Sequence, residues 1–199
     1  MMRLTCARQF QLKTLWTCPR SMATRIDVSR PSVSPHDARR FPSQPIAAVA
    51  VTICMAGSQG RRYALVKRNK PPSKGAWSIP GGKLRLGEAI MVGASREIEE
   101  EVGLTVASLR WHPLPITATD VIVGGETTPE FHYVIAQCFA WHDSREETAT
   151  PGDDAADVAW FTMEEIASSL SGQDSDRILG VIRVAEAMMS GGVLVADKP

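Results

Sequence analysis

The chain has 199 residues, of which 44% are hydrophobic and 22% are charged, and its formal net charge is zero. This length suits one domain of ordinary size, and the composition excludes a collagen, a coiled coil and a wholly disordered chain. The longest apolar run, residues 46–57, is shorter than the roughly 18 residues that a membrane-spanning helix needs. We therefore expect a protein without a membrane span.

The charges are unevenly distributed along the chain. Residues 1–45 carry eight Arg and Lys against Asp27 and Asp37, a net charge of +6, and the remaining 154 residues carry −6. A nucleic-acid surface needs Lys and Arg to neutralise phosphates, so an acidic globular part argues against a nucleic-acid partner. It leaves anionic ligands bridged by a metal as an option.

Basic and apolar side chains dominate the first 28 residues, which contain one acid. This composition is typical of an organelle transit peptide and predicts a mitochondrial or other organellar protein. The alternatives are an unstructured basic tail, or translation that starts at Met22 and leaves a cytoplasmic protein. Residues 29–45 hold four Pro and four Ser and are predicted to be a linker. We therefore predict a leader and linker over 1–45 and a folded domain over 46–199.

Two segments alternate with a period of two residues and are apolar on both faces, which is typical of strands covered on both sides. They are residues 46–55 and 131–141. Residues 62–68 are predicted to form the hairpin partner or a near neighbour of the first strand. Cys54 and Cys138 lie in these strands and are expected to be reduced core thiols.

The remaining elements alternate between strands and helices. Strand-like stretches in 105–123 are interrupted by prolines, and a short strand is predicted over 158–161. Thr162 and Glu165 have the spacing of a capping box and predict a helix start. A last helix is predicted over 176–189. Helices that follow and separate strands indicate an α/β layer fold.

An acidic helix is predicted over residues 88–102, ended by Gly103. Its apolar stripe consists of Ile90, Ala94, Ile98 and Val102. At about 100° per residue, Glu97, Glu100 and Glu101 fall along one edge of that stripe. These like charges repel one another, and in the last turn they also face the negative end of the helix dipole. We therefore expect a cation to hold them.

Two explanations compete for these carboxylates. A charge run is usually a solvated helix face, and Glu99, on the opposite side, fits that explanation. The other three abut the apolar stripe, and oxygen ligands without His or Cys indicate a hard cation such as Mg²⁺ or Mn²⁺. Since several local rules are broken together here, we favour a functional metal site.

The spacing of the fixed residues in this region resembles one known family. Gly82 is followed after five residues by Glu88, and after seven more by residues 96–98; residues 100–101 and 103–104 complete the pattern. It is similar to the signature of the Nudix hydrolases at every defined position. The resemblance implies an α/β/α sandwich around a mixed β-sheet. It also implies hydrolysis of a nucleoside diphosphate linked to another group, with Mg²⁺, or alternatively Mn²⁺, as the cofactor.

The resemblance also implies roles for individual residues. The metal ligands would be Glu97, Glu100, Glu101 and the carbonyl of Gly81. Glu88 and Arg96 resemble the pair that orients the catalytic helix, which suits an arginine that holds a carboxylate in a bidentate fork. Glu100 or Glu101 could be the general base. The base could instead lie outside the helix, and the alternatives there are Glu126, Glu130, Glu146, Glu147, Asp153 and Asp154.

The substrate contacts are less defined by the sequence. Arg68, Lys70 and Lys74 border a Pro-rich loop and could bind phosphate or be solvated loop charges. Trp77 and Trp160 could stack on a base or anchor strand ends. We expect a small nucleotide substrate, either of the ADP-ribose type or a modified nucleoside triphosphate. The alternative is a catalytically silent module that binds a nucleotide or a protein partner.

Overall fold

A computed structural model of the chain describes residues 39–58, 60–70, 73–125, 128–144, 149–152, 155–170 and 172–194. The predicted transit peptide and the alternative start at Met22 lie outside the described residues. Both remain predictions, as does the division between the segments 1–45 and 46–199. Within the described part of the chain, no helix combines the length and the apolar character needed to cross a membrane.

Eight strands and three helices form the described domain. The strands are β1 (Ile46–Gly57), β2 (Gly60–Arg68), β3 (Trp77–Ser78), β4 (Gly81–Lys83), β5 (Leu109–Trp111), β6 (Thr117–Gly124), β7 (Pro129–His142) and β8 (Ala155–Phe161). The helices are α1 (Ile90–Val102), α2 (Met163–Ser169) and α3 (Gln173–Ser190), and a short 3₁₀ turn spans Val106–Ser108.

The strands form one mixed sheet with β1 and β7 at its centre. These two strands are parallel, from Ile46 opposite Tyr133 to Met55 opposite His142. The other pairings are antiparallel, including the predicted hairpin of β1 and β2 and the pairing of Gly81 in β4 with Ala50 in β1. Eight consecutive residues of β1 are buried, which confirms the prediction of a strand covered on both faces.

Helices cover both faces of the sheet. On one face, α1 packs through Ala94, Ile98 and Val102 against a cluster that includes Val49 and Val51. On the other face, α2 and α3 pack against a second cluster through Ile166, Ile178, Ile182 and Ala185, among others. The architecture is the expected α/β/α sandwich around a mixed β-sheet. Cys54 and Cys138 are buried free thiols, as predicted.

Helix α1 departs from the prediction at its first turn. It begins at Ile90 rather than at residue 88, because the Glu88 carboxylate accepts a hydrogen bond from the Arg85 backbone N–H (2.9 Å) in the turn before the helix. Ile90 is 37% exposed, so the apolar stripe is buried only from Ala94 onward. The helix ends as predicted, with Gly103 in the left-handed conformation (φ 70°).

The start of α2 is capped as predicted, and α3 begins earlier than predicted. The capping box is present: Thr162 Oγ1 accepts a hydrogen bond from the Glu165 N–H (3.1 Å), and the Glu165 carboxylate accepts one from the Thr162 N–H (2.8 Å). Helix α3 starts three residues before residue 176. Residues 39–45 contain neither helix nor strand, although Phe41 hydrogen-bonds to the start of β7 (2.8 Å).

Candidate active site

A cavity of about 870 Å³ is lined by residues of the sheet, of α1 and of α3. Its floor includes Ala48 and Ala50 of β1 and Ile135 and Gln137 of β7. One rim is formed by α1 and β4, which contribute Gly81, Gly82, Arg96, Glu97, Glu100 and Glu101. The three carboxylates that the sequence predicts as metal ligands therefore border one cavity, together with the predicted glycine.

Arg96 is the centre of the charged network at this rim. It forms a bidentate pair with Glu88, from Nε to Oε1 (2.7 Å) and from Nη2 to Oε2 (2.9 Å). Its Nη1 donates to Glu97 Oε1 (2.6 Å) and to Glu100 Oε2 (3.0 Å). A single guanidinium group, 15% exposed, therefore fixes the turn before α1 and two of the repelling carboxylates. Arg96 therefore supplies positive charge beside these carboxylates, where the sequence predicts a cation.

The network sets the protonation of its members. Hydrogen bonds from Arg96 and from the Arg85 N–H lower the pKa of Glu88 to about 2, so this carboxylate stays ionised. The bonds to Glu88 and Glu97 raise the pKa of Arg96 further above its ordinary value. Burial raises the pKa of Glu97, although the bonds from Arg96 oppose that effect. The cost of burying Glu97 is therefore only partly offset within the protein.

The rim carries more negative than positive charge. Its carboxylates are Glu88, Glu97, Glu100 and Glu101. The guanidinium groups that contact them are Arg96 and Arg85, the latter 3.3 Å from Glu100. Lys83 of β4 also lines the cavity, so four ionised acids face three positive charges. The rim therefore keeps a net negative charge, which favours a cation as its ligand.

Two glycines allow β4 to lie directly against its neighbours. The Gly81 N–H donates to Glu101 Oε2 (2.8 Å), and a Cβ at Gly81 would collide with the Val49 carbonyl oxygen. A Cβ at Gly82 would stand 2.5 Å from the carboxylate of Glu97. A side chain at Gly81 would collide with the backbone of β1 and one at Gly82 with a carboxylate of α1, which explains the paired glycines in the sequence.

The donor set fits a hard divalent cation in its chemistry. The donors are carboxylate and backbone oxygens, without nitrogen or sulfur. Among the described residues, no three His, Cys, Asp or Glu side chains are already arranged as a metal-binding cluster. Instead, Arg96 contacts Glu97 and Glu100, while Glu101 is bound to Gly81. The roles of these residues as ligands remain predictions.

The predicted substrate contacts separate into two groups. Arg68, Lys70 and Trp77 line the cavity, and the Trp77 ring also packs edge-on against Phe161 with centroids 4.9 Å apart. Trp160 is 4% exposed and belongs to the core on the α1 side. Of the two tryptophans, Trp77 is the one that borders the cavity.

Other cavity residues carry no signal in the sequence. Tyr133 of β7 and Asp174 and Arg177 of α3 line the cavity, but no spacing connects them with α1. Arg39, from the predicted linker, lines it as well. Among the proposed alternatives for the base, Glu130 is paired with Arg40 (2.9 Å). The other five, Glu126, Glu146, Glu147, Asp153 and Asp154, lie outside the described residues.

The family of the chain follows from comparison with known proteins. The family model of the NUDIX domain matches residues 46–179, which span the sheet, α1 and the start of α3. The chain therefore belongs to the Nudix hydrolase family. Nudix hydrolases generally use divalent metal ions, in agreement with the oxygen donors at this rim.

The individual relatives share only low sequence identity with this chain. The chain is 28% identical over 122 residues to the NAD-capped RNA hydrolase NudC of Mycobacterium bovis, a match that covers 61% of this chain and 35% of that protein. The chain thus spans about a third of that curated relative.

Solved structures show the same fold. One is the binary complex of the Caenorhabditis elegans Ap4A hydrolase, with a TM-score of 0.57, 18% identity, and coverage of 73% of this chain and 98% of that chain. Another is the NUDIX domain of Shewanella oneidensis NrtR with ADP ribose, with a TM-score of 0.59, 14% identity, and coverage of 79% and 94%.

Proposed function

We propose that this protein is a Mg²⁺-dependent pyrophosphohydrolase. It would hydrolyse the diphosphate linkage of a nucleoside diphosphate joined to another group, as in ADP-ribose, or of a modified nucleoside triphosphate. The observation that carries this proposal is the convergence of Glu97, Glu100, Glu101 and Gly81 on the rim of one large cavity. Three repelling carboxylates would be a costly feature in a module that only binds a nucleotide.

The residues at the rim would have different roles in the reaction. Glu97, Glu100, Glu101 and the Gly81 carbonyl would hold the metal, with Mn²⁺ as the alternative ion. When bound, the metal supplies a Lewis acid and charge neutralisation for neighbouring phosphoryl oxygens. Glu100 or Glu101 would accept the proton of the attacking water. Arg96 keeps α1 in place through its bidentate pair with Glu88 and cannot compete for that proton.

The cavity also suits the rest of a nucleotide. Arg68 and Lys70 lie on its wall, where their positive charge would balance phosphate oxygens. The indole of Trp77 offers an apolar surface for a base or a ribose. The NUDIX domain of NrtR, which has the same fold, is described with ADP ribose, and this supports a ligand of that class.

The proposal is tested by product release from a panel of nucleotides. The full chain is incubated with ADP-ribose, Ap4A, 8-oxo-dGTP and an NAD-capped RNA oligonucleotide, with and without Mg²⁺. We expect Mg²⁺-dependent release of a nucleoside monophosphate or of diphosphate from at least one of them. Tight nucleotide binding without turnover of any member would favour the silent binding module.

The role of the helix is tested with a matched pair of variants. Glu100→Gln should reduce turnover by at least about 10³-fold, because it removes a charged oxygen ligand while keeping the shape of the side chain. Folding should be retained, since one repelling charge is removed. Glu99→Gln, on the exposed side of the same helix, is the control and should stay close to wild type. Activity of Glu100→Gln within a few-fold of wild type would contradict the assignment.

A further inference from the structure

A sharp turn just before the sheet is held in a defined position. Phe41 has a left-handed backbone (φ 52°), which is costly for a bulky residue and persists only where the surroundings impose it. The Phe41 N–H donates to the Glu130 carbonyl (2.8 Å), and Arg40 Nε donates to Glu130 Oε1 (2.9 Å). The residue before them, Arg39, is therefore fixed relative to β7.

The turn directs Arg39 into the cavity. Arg39 is half-buried and lines the cavity wall, as Tyr133 does, and its positive charge opposes the burial that raises the pKa of the Tyr133 phenol. A guanidinium group and a phenol thus line this end of the cavity.

This end of the cavity is well separated from the acidic rim. Tyr133 pairs with Ile46 of β1, and Gly81 pairs with Ala50 on the other side of β1. Four residues along a strand span about 13 Å, and two strand spacings add about 10 Å across, so the two backbones lie roughly 16 Å apart. That backbone separation exceeds the length of one diphosphate group. We therefore expect Arg39 to contact a different part of the ligand from the part held at the acidic rim.

We propose that Arg39, together with Tyr133, binds a phosphate group of the substrate that is remote from the scissile linkage. The chemistry is that of charge-assisted hydrogen bonds from planar guanidinium groups, which suit phosphate oxygens. This proposal rests on the proposed function, because it assigns a second anionic contact to the same nucleotide. It predicts that a phosphate added to one of the two sugars of an ADP-ribose-like ligand strengthens binding.

The test compares ligands that differ in one phosphate. Binding of ADP-ribose, ADP-ribose 2′-phosphate and ADP-ribose 1″-phosphate to the full chain is measured by calorimetry, with Ca²⁺ in place of Mg²⁺ to slow hydrolysis. In wild type, one phosphorylated ligand should bind about tenfold more tightly than ADP-ribose. Arg39→Gln should abolish this preference, and Arg39→Lys should restore part of it. Arg110→Gln, which breaks an exposed pair with Asp143 outside the cavity, should keep the full preference.

A second probe is independent of any nucleotide. Inorganic phosphate alone should raise the Tm of wild type and of Arg110→Gln more than that of Arg39→Gln. The remote site would be overturned if Arg39→Gln kept the preference for the phosphorylated ligand. It would also be overturned if Arg39→Gln lost affinity equally for all three nucleotides. If no nucleotide binds but phosphate still distinguishes wild type from Arg39→Gln, the proposed function fails and the anion site stands. Equal stabilisation of both proteins by phosphate would overturn the site directly.

Discussion

Gly82 determines how closely strand β4 approaches helix α1. A Cβ at this position would lie 2.5 Å from the Glu97 carboxylate, which belongs to a buried residue and accepts a hydrogen bond from Arg96. A single methyl group would therefore displace a predicted metal ligand without changing any charge. This makes Gly82 a sensitive probe of the geometry at the rim.

We predict that Gly82→Ala weakens the metal site. The added Cβ should lower the free energy of unfolding by about 1–3 kcal/mol, as overpacking usually does, and should raise the Mg²⁺ concentration needed for half-maximal turnover. Gly125→Ala is the control, because its Cβ would meet only the Thr128 carbonyl oxygen, at 3.9 Å. Thermal unfolding and a Mg²⁺ titration of both variants provide the measurements. Equal Mg²⁺ requirements in the two variants would contradict a ligand role for Glu97.

At the residue scale, the sequence predicts the acidic rim but not the opposite end of the cavity. Glu97, Glu100 and Glu101 lie within one turn of one helix, so helical periodicity alone brings them together. Tyr133, Asp174 and Arg39 come from three distant parts of the chain. Their proximity depends on strand register and on the path of a turn, neither of which local sequence determines.

At the scale of elements, helices α1 and α2 differ at their first residues. The N-cap of α1 is Ala89, whose backbone is extended and whose side chain forms no capping hydrogen bond. The N-cap of α2 is Thr162, which forms a complete capping box. Because a capping box is encoded within four residues, the start of α2 could be predicted. The start of α1 instead depends on the contact between Glu88 and Arg85.

Two cap substitutions should therefore change stability in opposite directions. Ala89→Ser supplies the missing acceptor and should raise the free energy of unfolding by about 1 kcal/mol, while Thr162→Ala should lower it by about the same amount. Urea unfolding of both variants measures the effect. Turnover should stay close to wild type in both, since neither residue lines the cavity. A destabilising Ala89→Ser would show that the first turn of α1 is held by Glu88 alone.

For the whole molecule, the sheet, its layers and helix α1 follow from patterns in the sequence, whereas the contacts of residues 39–45 with β7 do not. The alternating apolar pattern of β1, which is buried in the structure, is clear enough to place the first strand at Ile46. Residues 39–45 have a linker composition, yet Phe41 and Arg40 contact Glu130. Amino-acid composition predicts which segments can build a core. It does not predict that a single turn outside the core adds one side chain to a cavity.

Two deletions separate the leader from this turn. Deletion of residues 1–38 should leave turnover intact and, if the leader directs import, should abolish organellar import in cells. The sequence predicts the same catalytic result for deletion of residues 1–45. The structure leads us to expect instead a lower Tm and weaker binding of phosphorylated ligands, because the contacts to Glu130 and the Arg39 side chain are lost. Identical Tm values and affinities for the two proteins would contradict a structural role for residues 39–45.

We expect the metal to serve turnover rather than folding. The carboxylates of α1 already have partners in Arg96 and Gly81, so the fold should tolerate metal removal. The most direct measurement follows turnover and thermal unfolding on one sample of the full chain, first with EDTA and then with excess Mg²⁺, using the best substrate of the panel. We predict that EDTA abolishes turnover, that Mg²⁺ restores it, and that the unfolded fraction at the assay temperature stays negligible throughout. Undiminished turnover in EDTA would contradict a role of the metal in turnover, and unfolding that accounts for the loss would show that the metal serves folding instead.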